Sequence, residues 1–389
     1  MSIPHAQNVG PVSGKTAICN VRVFDGTSMS EPQTVVMYGS LIGRDPTGAQ
    51  RTIDGEGGYL IPGLIDAHVH VDTNDHLLQL LRHGVTTALD MAMWPAKKMQ
   101  RLRGQEGLPD LLTAGLPATK AGSVHSCVLP LPQEAFLSGP EQAADWVKRR
   151  IDEGSDYIKI IADVPGPDQD VMDAISAEAH KQGRIVVAHA ASYKPFTMAL
   201  EAKVDVVTHV ACDKAVDTKI TDRMVASGTI AVPTLCMMQE TTKRPSLSAA
   251  ASLLLNPSAL IAIVRSKSNA QGSTDYSNAR DSVAAMHMAG VPILAGTDCH
   301  EELNSMFDVM HGESMHRELE LLVEAGLSPV EVLCAATSLP AKYFDLRDRG
   351  TIEEGKRADV VLLREDPTKD IRATRSISRI WCNGREVEL

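Results

Sequence analysis

The sequence predicts an α/β protein: a closed (β/α)8 barrel, the TIM-barrel architecture, carrying a small β domain made from both chain ends. Three observations predict it. Eight short apolar runs alternate with helix-like segments through the middle of the chain. Uninterrupted apolar strands between helices belong to a parallel sheet covered on both faces, and eight such units match the repeat and size of a closed barrel. No glycine-rich phosphate loop follows any run, which sets aside an open doubly wound sheet. Residues 15–60 and 350–389 read instead as short strands broken by turns. Neither end has enough strands to be stable alone, so the economical arrangement pairs them.

Taken in order, residues 1–62 form the first part of the terminal β domain, with β-like runs at Ala17–Phe24 and Thr34–Tyr38 and turn glycines at Gly55, Gly57 and Gly58. Residues 63–345 form the barrel. Its strands are expected at Gly63–Ala67, Val85–Met91, Leu111–Gly115, Tyr157–Ala162, Ile185–Ala188, Val204–Thr208, Thr229–Leu235 and Val291–Gly296. Helices are expected at Asp75–His83, Pro140–Glu153, Val171–Gln182, Pro195–Ala202, Thr218–Ser227 and Asn278–Ala289. Five of them run into glycine (Gly84, Gly154, Gly183, Gly228, Gly290), the usual stop. Two connections are long, Pro117–Asp156 and Cys236–Val291, and the second includes an inserted helix or two within Ser246–Lys267. Residues 346–389 complete the β domain with Ala358–Leu363, Ile377–Cys382 and the two-residue hairpin signal Asn383-Gly384.

The composition narrows the partners. Of 389 residues, 49 are Asp or Glu and 38 are Lys or Arg, a net charge of −11, which argues against general affinity for nucleic acid or an anionic membrane. With 16 Met and only 3 Trp, 6 Tyr and 5 Phe, the core must be mainly aliphatic. No apolar run is long enough for a membrane span, and the start Met-Ser-Ile-Pro-His-Ala-Gln-Asn has no secretory pattern, so a cytoplasmic enzyme is expected. The seven cysteines are scattered without a C-x-x-C pair, which fits reduced thiols.

Polar residues gather where the apolar runs end. The first ends Asp66-Ala67-His68-Val69-His70. Alternation along a strand points His68 and His70 the same way, where two imidazoles can hold one divalent ion. The fourth run carries Lys159 between isoleucines, a costly place for an ammonium unless it is paired or modified. A desolvated neutral amine there can take up carbon dioxide and become a bidentate anionic ligand. The fifth run ends in His189, the sixth in His209 and the eighth in Gly296-Thr297-Asp298. Singly, each could be a core residue. Six metal-competent side chains at the ends of strands one, four, five, six and eight are hard to explain as packing, because that end of a barrel is where sites are built.

These motifs, with Gly84-Val85-Thr86-Thr87 and the tail Gly350-Thr351-Ile352-Glu353-Glu354-Gly355-Lys356-Arg357-Ala358-Asp359-Val360-Val361, resemble the amidohydrolase superfamily of metal-dependent hydrolases over nearly the whole chain. The resemblance implies a distorted (β/α)8 barrel with a β-sandwich built from both termini. It implies two divalent ions, zinc foremost: one on His68, His70 and Asp298, a second on His189 and His209, with Lys159, carboxylated by carbon dioxide or bicarbonate, bridging both. Tyr157-Ile158-Lys159-Ile160 and Gly122-Ser123-Val124-His125-Ser126 are similar to the prolidase-like and ochratoxin-degrading branch, although Ser123-Val124 stands where that branch has glycine. Imidazolonepropionase-type and nucleobase deaminase-type members lack the bridging lysine, which counts against both.

The implied reaction is hydrolysis of a small-molecule amide: an N-acyl amino acid, a dipeptide-like compound or a cyclic amide. Asp298 serves as general base and then acid, His125 donates to the oxyanion, and Tyr193 donates to the oxyanion or binds a substrate carboxylate. His300 reads as exposed, and Cys127, Cys212 and Cys299 as packing residues. A lactonase, deaminase or decarboxylase on the same scaffold, or an inactive scaffold protein, are the alternatives. The resemblance also implies a homo-oligomer.

Overall fold

The computed structural model describes residues 14–243, 255–301 and 309–388. β-Branched and aliphatic residues near the start form β1 (Lys15–Val23), followed by β2 (Gln33–Tyr38), β3 (Leu41–Gly43), β4 (Arg51–Asp54) and β5 (Tyr59–Pro62). β1 is shared. Its first residues pair with β2 and β4, and Arg22 and Val23 pair with β5. A bulge between Ile18 and Val21, with Asn20 at φ 55°, redirects the strand between these partners.

The barrel strands follow. β6 (Leu64–Val69), β7 (Val85–Asp90) and β8 (Asp110–Thr113) form one parallel arc, and β9 (Ile158–Ile161), β10 (Val186–His189), β11 (Val206–Thr208) and β12 (Ile230–Val232) form another. The arcs join through Ala118, whose amide donates to the Lys159 carbonyl (2.9 Å) and whose carbonyl accepts from Ile161 (2.8 Å). On the far side the eighth run, 291–296, departs from expectation. It is not a continuous strand, but it closes the barrel by single bonds: Ala231 N–H to Pro292 (2.9 Å), Leu294 N–H to Ala231 (2.9 Å) and Ala67 N–H to Ala295 (2.9 Å). Pro292 has no amide to offer a ladder. Gly296 lies so close to β6 that a Cβ would sit 2.8 Å from the His68 amide nitrogen.

Helices cover the barrel: α1 (Asn74–Arg82), α2 (Ala96–Leu102), α3 (Val124–Val128), α4 (Ala143–Asp152), α5 (Gln169–Lys181), α6 (Tyr193–Glu201) and α7 (Thr218–Ser227). Pro140 opens a separate short 3-10 turn before α4, and α7 has its expected bounds. The long second connection holds α8 (Leu235–Thr241), α9 (Pro257–Ser268) and α10 (Tyr276–Ala289). Of the inserted segment expected at 246–267, residues 246–254 lie outside the described residues. α11 (Glu313–Glu324), α12 (Pro329–Ala335) and α13 (Ser338–Tyr343) complete the layer. Among the described residues no helix is long and apolar enough to cross a membrane.

The chain then returns to the terminal sheet. β13 (Val360–Leu363) pairs antiparallel with β5, placing Val361 opposite Ile61, and β14 (Ile377–Cys382) and β15 (Arg385–Glu386) follow. Both chain ends thus build one sheet of order β15-β14-β13-β5-β1-β2-β3. Asn383 and Gly384 have φ 52° and 75°, as a two-residue hairpin with two left-handed positions requires. Ile18, Val21, Met37, Leu60, Val360, Leu362 and Trp381 fill the core of this domain.

A candidate metal centre at the barrel mouth

Strand ends deliver the site. β6 runs into His68 and His70, β9 carries Lys159, β10 ends in His189, and His209 and Asp298 lie just beyond the sixth and eighth runs. The backbone at His209 (φ 68°), Thr234 (φ 49°) and Asp298 (φ 58°) is left-handed. Non-glycine residues tolerate that conformation only where their surroundings over-determine it, commonly at functional sites.

The six side chains converge. Asp298 Oδ1 lies 3.1 Å from His68 Nε2 and 3.0 Å from His70 Nε2, and Asp298 Oδ2 lies 3.8 Å from His209 Nδ1. The rings of His68 and His209 are 4.9 Å apart between centroids, and those of His189 and His209 are 4.3 Å apart. Lys159 is buried, its Nζ donating to Thr208 Oγ1 at 2.9 Å, and its neighbourhood includes the Asp298 and Asp90 charges.

Burial decides the charges. It lowers His68 to about 3 and holds His189 and His209 well below their ordinary value, so these rings keep lone pairs at neutral pH. Burial also pushes Asp298 up, but His68, His70 and His209 outweigh it and hold the carboxyl well below the ordinary carboxylate value. Lys159 falls to about 7 because burial outweighs the attraction of Asp298 and Asp90. His70 goes the other way: burial lowers it, but its bond to Asp298 and that charge outweigh burial and raise it. Three neutral imidazoles, His70 and a carboxylate around one buried point are a donor set for a divalent transition ion, and the fully buried His68 Nδ1 has no hydrogen-bond partner. The residues present therefore fit the metal that the sequence implies.

Other expected residues sit at the edge. His125, in α3, bonds through Nδ1 to Asp163 Oδ2 (2.8 Å), and its ring is 4.4 Å from that of His189. Tyr193 opens α6 beyond His189. Its hydroxyl donates to Asp217 (2.6 Å), and Lys214 Nζ lies 3.8 Å from its ring centroid, so in this arrangement the hydroxyl proton is already engaged. His300, read from sequence as exposed, is half-buried, with Nδ1 2.7 Å from the Asp298 carbonyl oxygen. Cys212 and Cys299 are buried and Cys127 is half-buried; none of the seven cysteines is in a disulfide.

Several contributors were not singled out from sequence. Asp163 directly follows the fourth run, and it receives both the ring and the amide (3.1 Å) of His125. Its position at a strand end was the available signal. Asp66, pushed by burial up to about 7, accepts from the hydroxyl (2.7 Å) and amide (3.1 Å) of Thr297, tying the first strand to the eighth just below Asp298. Asp90 takes the Val71 amide (2.9 Å) and the Thr113 hydroxyl (2.6 Å), fixing the turn after His70. Thr234 holds His209 Nδ1 at 2.8 Å.

The chain is similar to known proteins over nearly its whole length. An uncharacterized protein of Mycobacterium tuberculosis is 25% identical over 387 residues, covering 93% of this chain and 90% of that protein. An adenine deaminase of Oleidesulfovibrio alaskensis is 24% identical over 98% of this chain, which spans only 60% of the deaminase. Among solved structures, a Xaa-Pro dipeptidase with methionine in its active site superposes with a TM-score of 0.76 at 21% identity, covering 96% of this chain and 100% of that one. The A. niger ochratoxinase does so with a TM-score of 0.73 at 20% identity, covering 96% and 95%. The amidohydrolase family profile matches residues 59–387, which takes in β5, the whole barrel and the returning strands. With that match and a buried His/Asp cluster at the barrel mouth, the chain belongs to the amidohydrolase family, hydrolases acting on carbon–nitrogen bonds.

Proposed function

We propose that this enzyme hydrolyses the amide bond of an N-acyl amino acid, a dipeptide-like compound or a small cyclic amide. One observation carries the reading: a buried carboxylate, Asp298, lies 3.0–3.1 Å from two imidazoles of the first strand, beside a lysine that burial brings to about 7. His68, His70 and Asp298 would hold one divalent ion, and His189 and His209 would hold a second. Zinc suits these donors best. Lys159 would become a third, anionic ligand once its neutral amine takes up carbon dioxide: the nitrogen lone pair forms the N–C bond, one C=O pair moves to oxygen, and the proton leaves the nitrogen for bulk water. Ions bound there would supply water activation at neutral pH and polarisation of the scissile carbonyl.

The chain's own groups do the rest. Asp298 takes the proton of the attacking water and returns it to the departing amine. His125 donates to the developing oxyanion, its ring oriented by Asp163. Tyr193 lies further out and reaches a substrate carboxylate only by giving up Asp217. The test is a hydrolysis screen over N-acyl amino acids, dipeptides, lactams and lactones with zinc and bicarbonate present. Amine release from at least one amide class supports the proposal; turnover of lactones alone refutes it. A second reading, deamination, is favoured by the adenine deaminase relatives. It predicts ammonia release from adenine, which the amide reading does not.

A further inference from the structure

We infer that His76, Glu301 and His311 form a further cation site, separate from the strand-end cluster, for a single divalent ion of the zinc type. His76 lies in the first turn of α1, Glu301 follows the eighth barrel segment, and His311 precedes α11. One ligand atom from each lies within 4.8 Å of the others.

His311 is the informative member. It is 1% exposed, and its Nε2 lies 2.8 Å from the His70 carbonyl oxygen. A carbonyl only accepts, so Nε2 carries the proton and, in the neutral ring, Nδ1 carries a lone pair. That Nδ1 is buried, has no hydrogen-bond partner and faces Glu301 Oε2 at 3.7 Å. A lone pair opposite a carboxylate oxygen is repulsive unless positive charge lies between them. An imidazole whose other nitrogen donates to a backbone carbonyl is also how metal-bound histidines are commonly held.

The second oxygen of Glu301 accepts only a long bond from the His311 amide (3.3 Å). His76 stacks on His311 with centroids 4.1 Å apart and planes at 23°. Its Nδ1 accepts only a long bond, 3.3 Å, from the Asp72 amide, so this lone pair is weakly engaged. Tetrahedral zinc on two histidines and a glutamate, with water in the fourth place, holds donor atoms about 3–3.5 Å apart. Loading would therefore need the three drawn together and the His76 ring turned about its Cβ–Cγ bond, so that the lone pairs converge. Because His311 grips the His70 backbone, an ion here would stiffen the turn that presents His70.

The test strips the full-length chain with chelator, dialyses it against Zn2+ and counts bound ions by mass spectrometry, with Co2+ absorption as a second readout. Parent, Glu301→Gln and His76→Gln are compared in the wild-type and Asp298→Ala backgrounds. Each variant is expected to bind one ion fewer than its parent in both backgrounds and to lose one Co2+ band set. If either variant fails to fold, the other carries the comparison. Equal ion counts would overturn the site and leave an imidazolium–carboxylate pair only. An ion kept by Asp298→Ala and lost on adding Glu301→Gln supports this site even if the strand-end cluster binds none.

Discussion

At the scale of single residues, the proposed mechanism divides the work between Asp298 and Lys159. In it, Asp298 is the group through which the proton moves. Asp298→Ala should therefore lower kcat by about 10²–10⁴-fold while the far-UV circular dichroism stays native; near-normal turnover would exclude it as general base. Lys159 gives a pH dependence. Its ordinary value of 10.5 falls to about 7, so the amine is neutral above that pH and charged below it. Carbon dioxide capture, and with it zinc retention, should fail as the pH drops through 7. Stripped protein reloaded with zinc and bicarbonate should hold less metal at pH 6 than at pH 8. The linkage has a definite sign. Between about 7 and 10.5 the unfolded chain binds the proton that the folded chain has lost, so the metal-free fold gains stability as the pH rises through this window.

At the scale of elements, α11 shapes the site from a distance. Thr234, ahead of α8, makes no side-chain cap bond to the helix, because its hydroxyl holds His209. The vacant role falls to Glu318 of α11, whose carboxylate accepts the Leu235 (2.9 Å) and Cys236 (2.8 Å) amides. Burial raises Glu318 from 4.5 to about 7. Between those values the folded state binds more protons than the unfolded one, so this group makes stability fall as pH rises. Thermal melts from pH 5 to 7.5 should show a fall in Tm that is smaller in Glu318→Gln; identical profiles would mean that Glu318 does not titrate there. The strand ends obey similar logic. Gly296 is required by the His68 backbone, and the Asp66–Thr297 bonds lock the first strand to the eighth where hydrogen-bond ladders are absent.

At the scale of the whole molecule, the terminal domain and the barrel are built as one object. β13 lies between β5 and β14, the Gly63 amide donates to the Asp359 carbonyl (2.8 Å), and buried Arg349 reaches Thr87 (3.0 Å) and Asp110 (2.7 Å) across the underside of the first arc. A chain ending at residue 345 loses Val360, Leu362 and Trp381 from the terminal core and leaves β5 unpaired on one edge. Burial of three large side chains is worth about 5–9 kcal/mol, comparable with the whole stability of a domain. Such a truncation should yield insoluble or molten protein by circular dichroism. Recovery of a cooperative melt would show the barrel to be independent.

Much of this was legible in the residues themselves. The strand-end histidines, Lys159 and Asp298 stood out because residue type and position at the end of an apolar run carry information together, and the Asn383-Gly384 turn because few pairs accept two positive φ angles. The alternating pattern also determined the barrel. The sequence could not show that the eighth segment closes by isolated bonds, that Asp163 rather than solvent receives His125, or that His76 stacks on a histidine 235 positions later. Local pattern records which face a residue prefers to bury. Partners contributed by distant segments are decided only when those segments pack, because burial and the pairing of buried polar groups are properties of the folded interior.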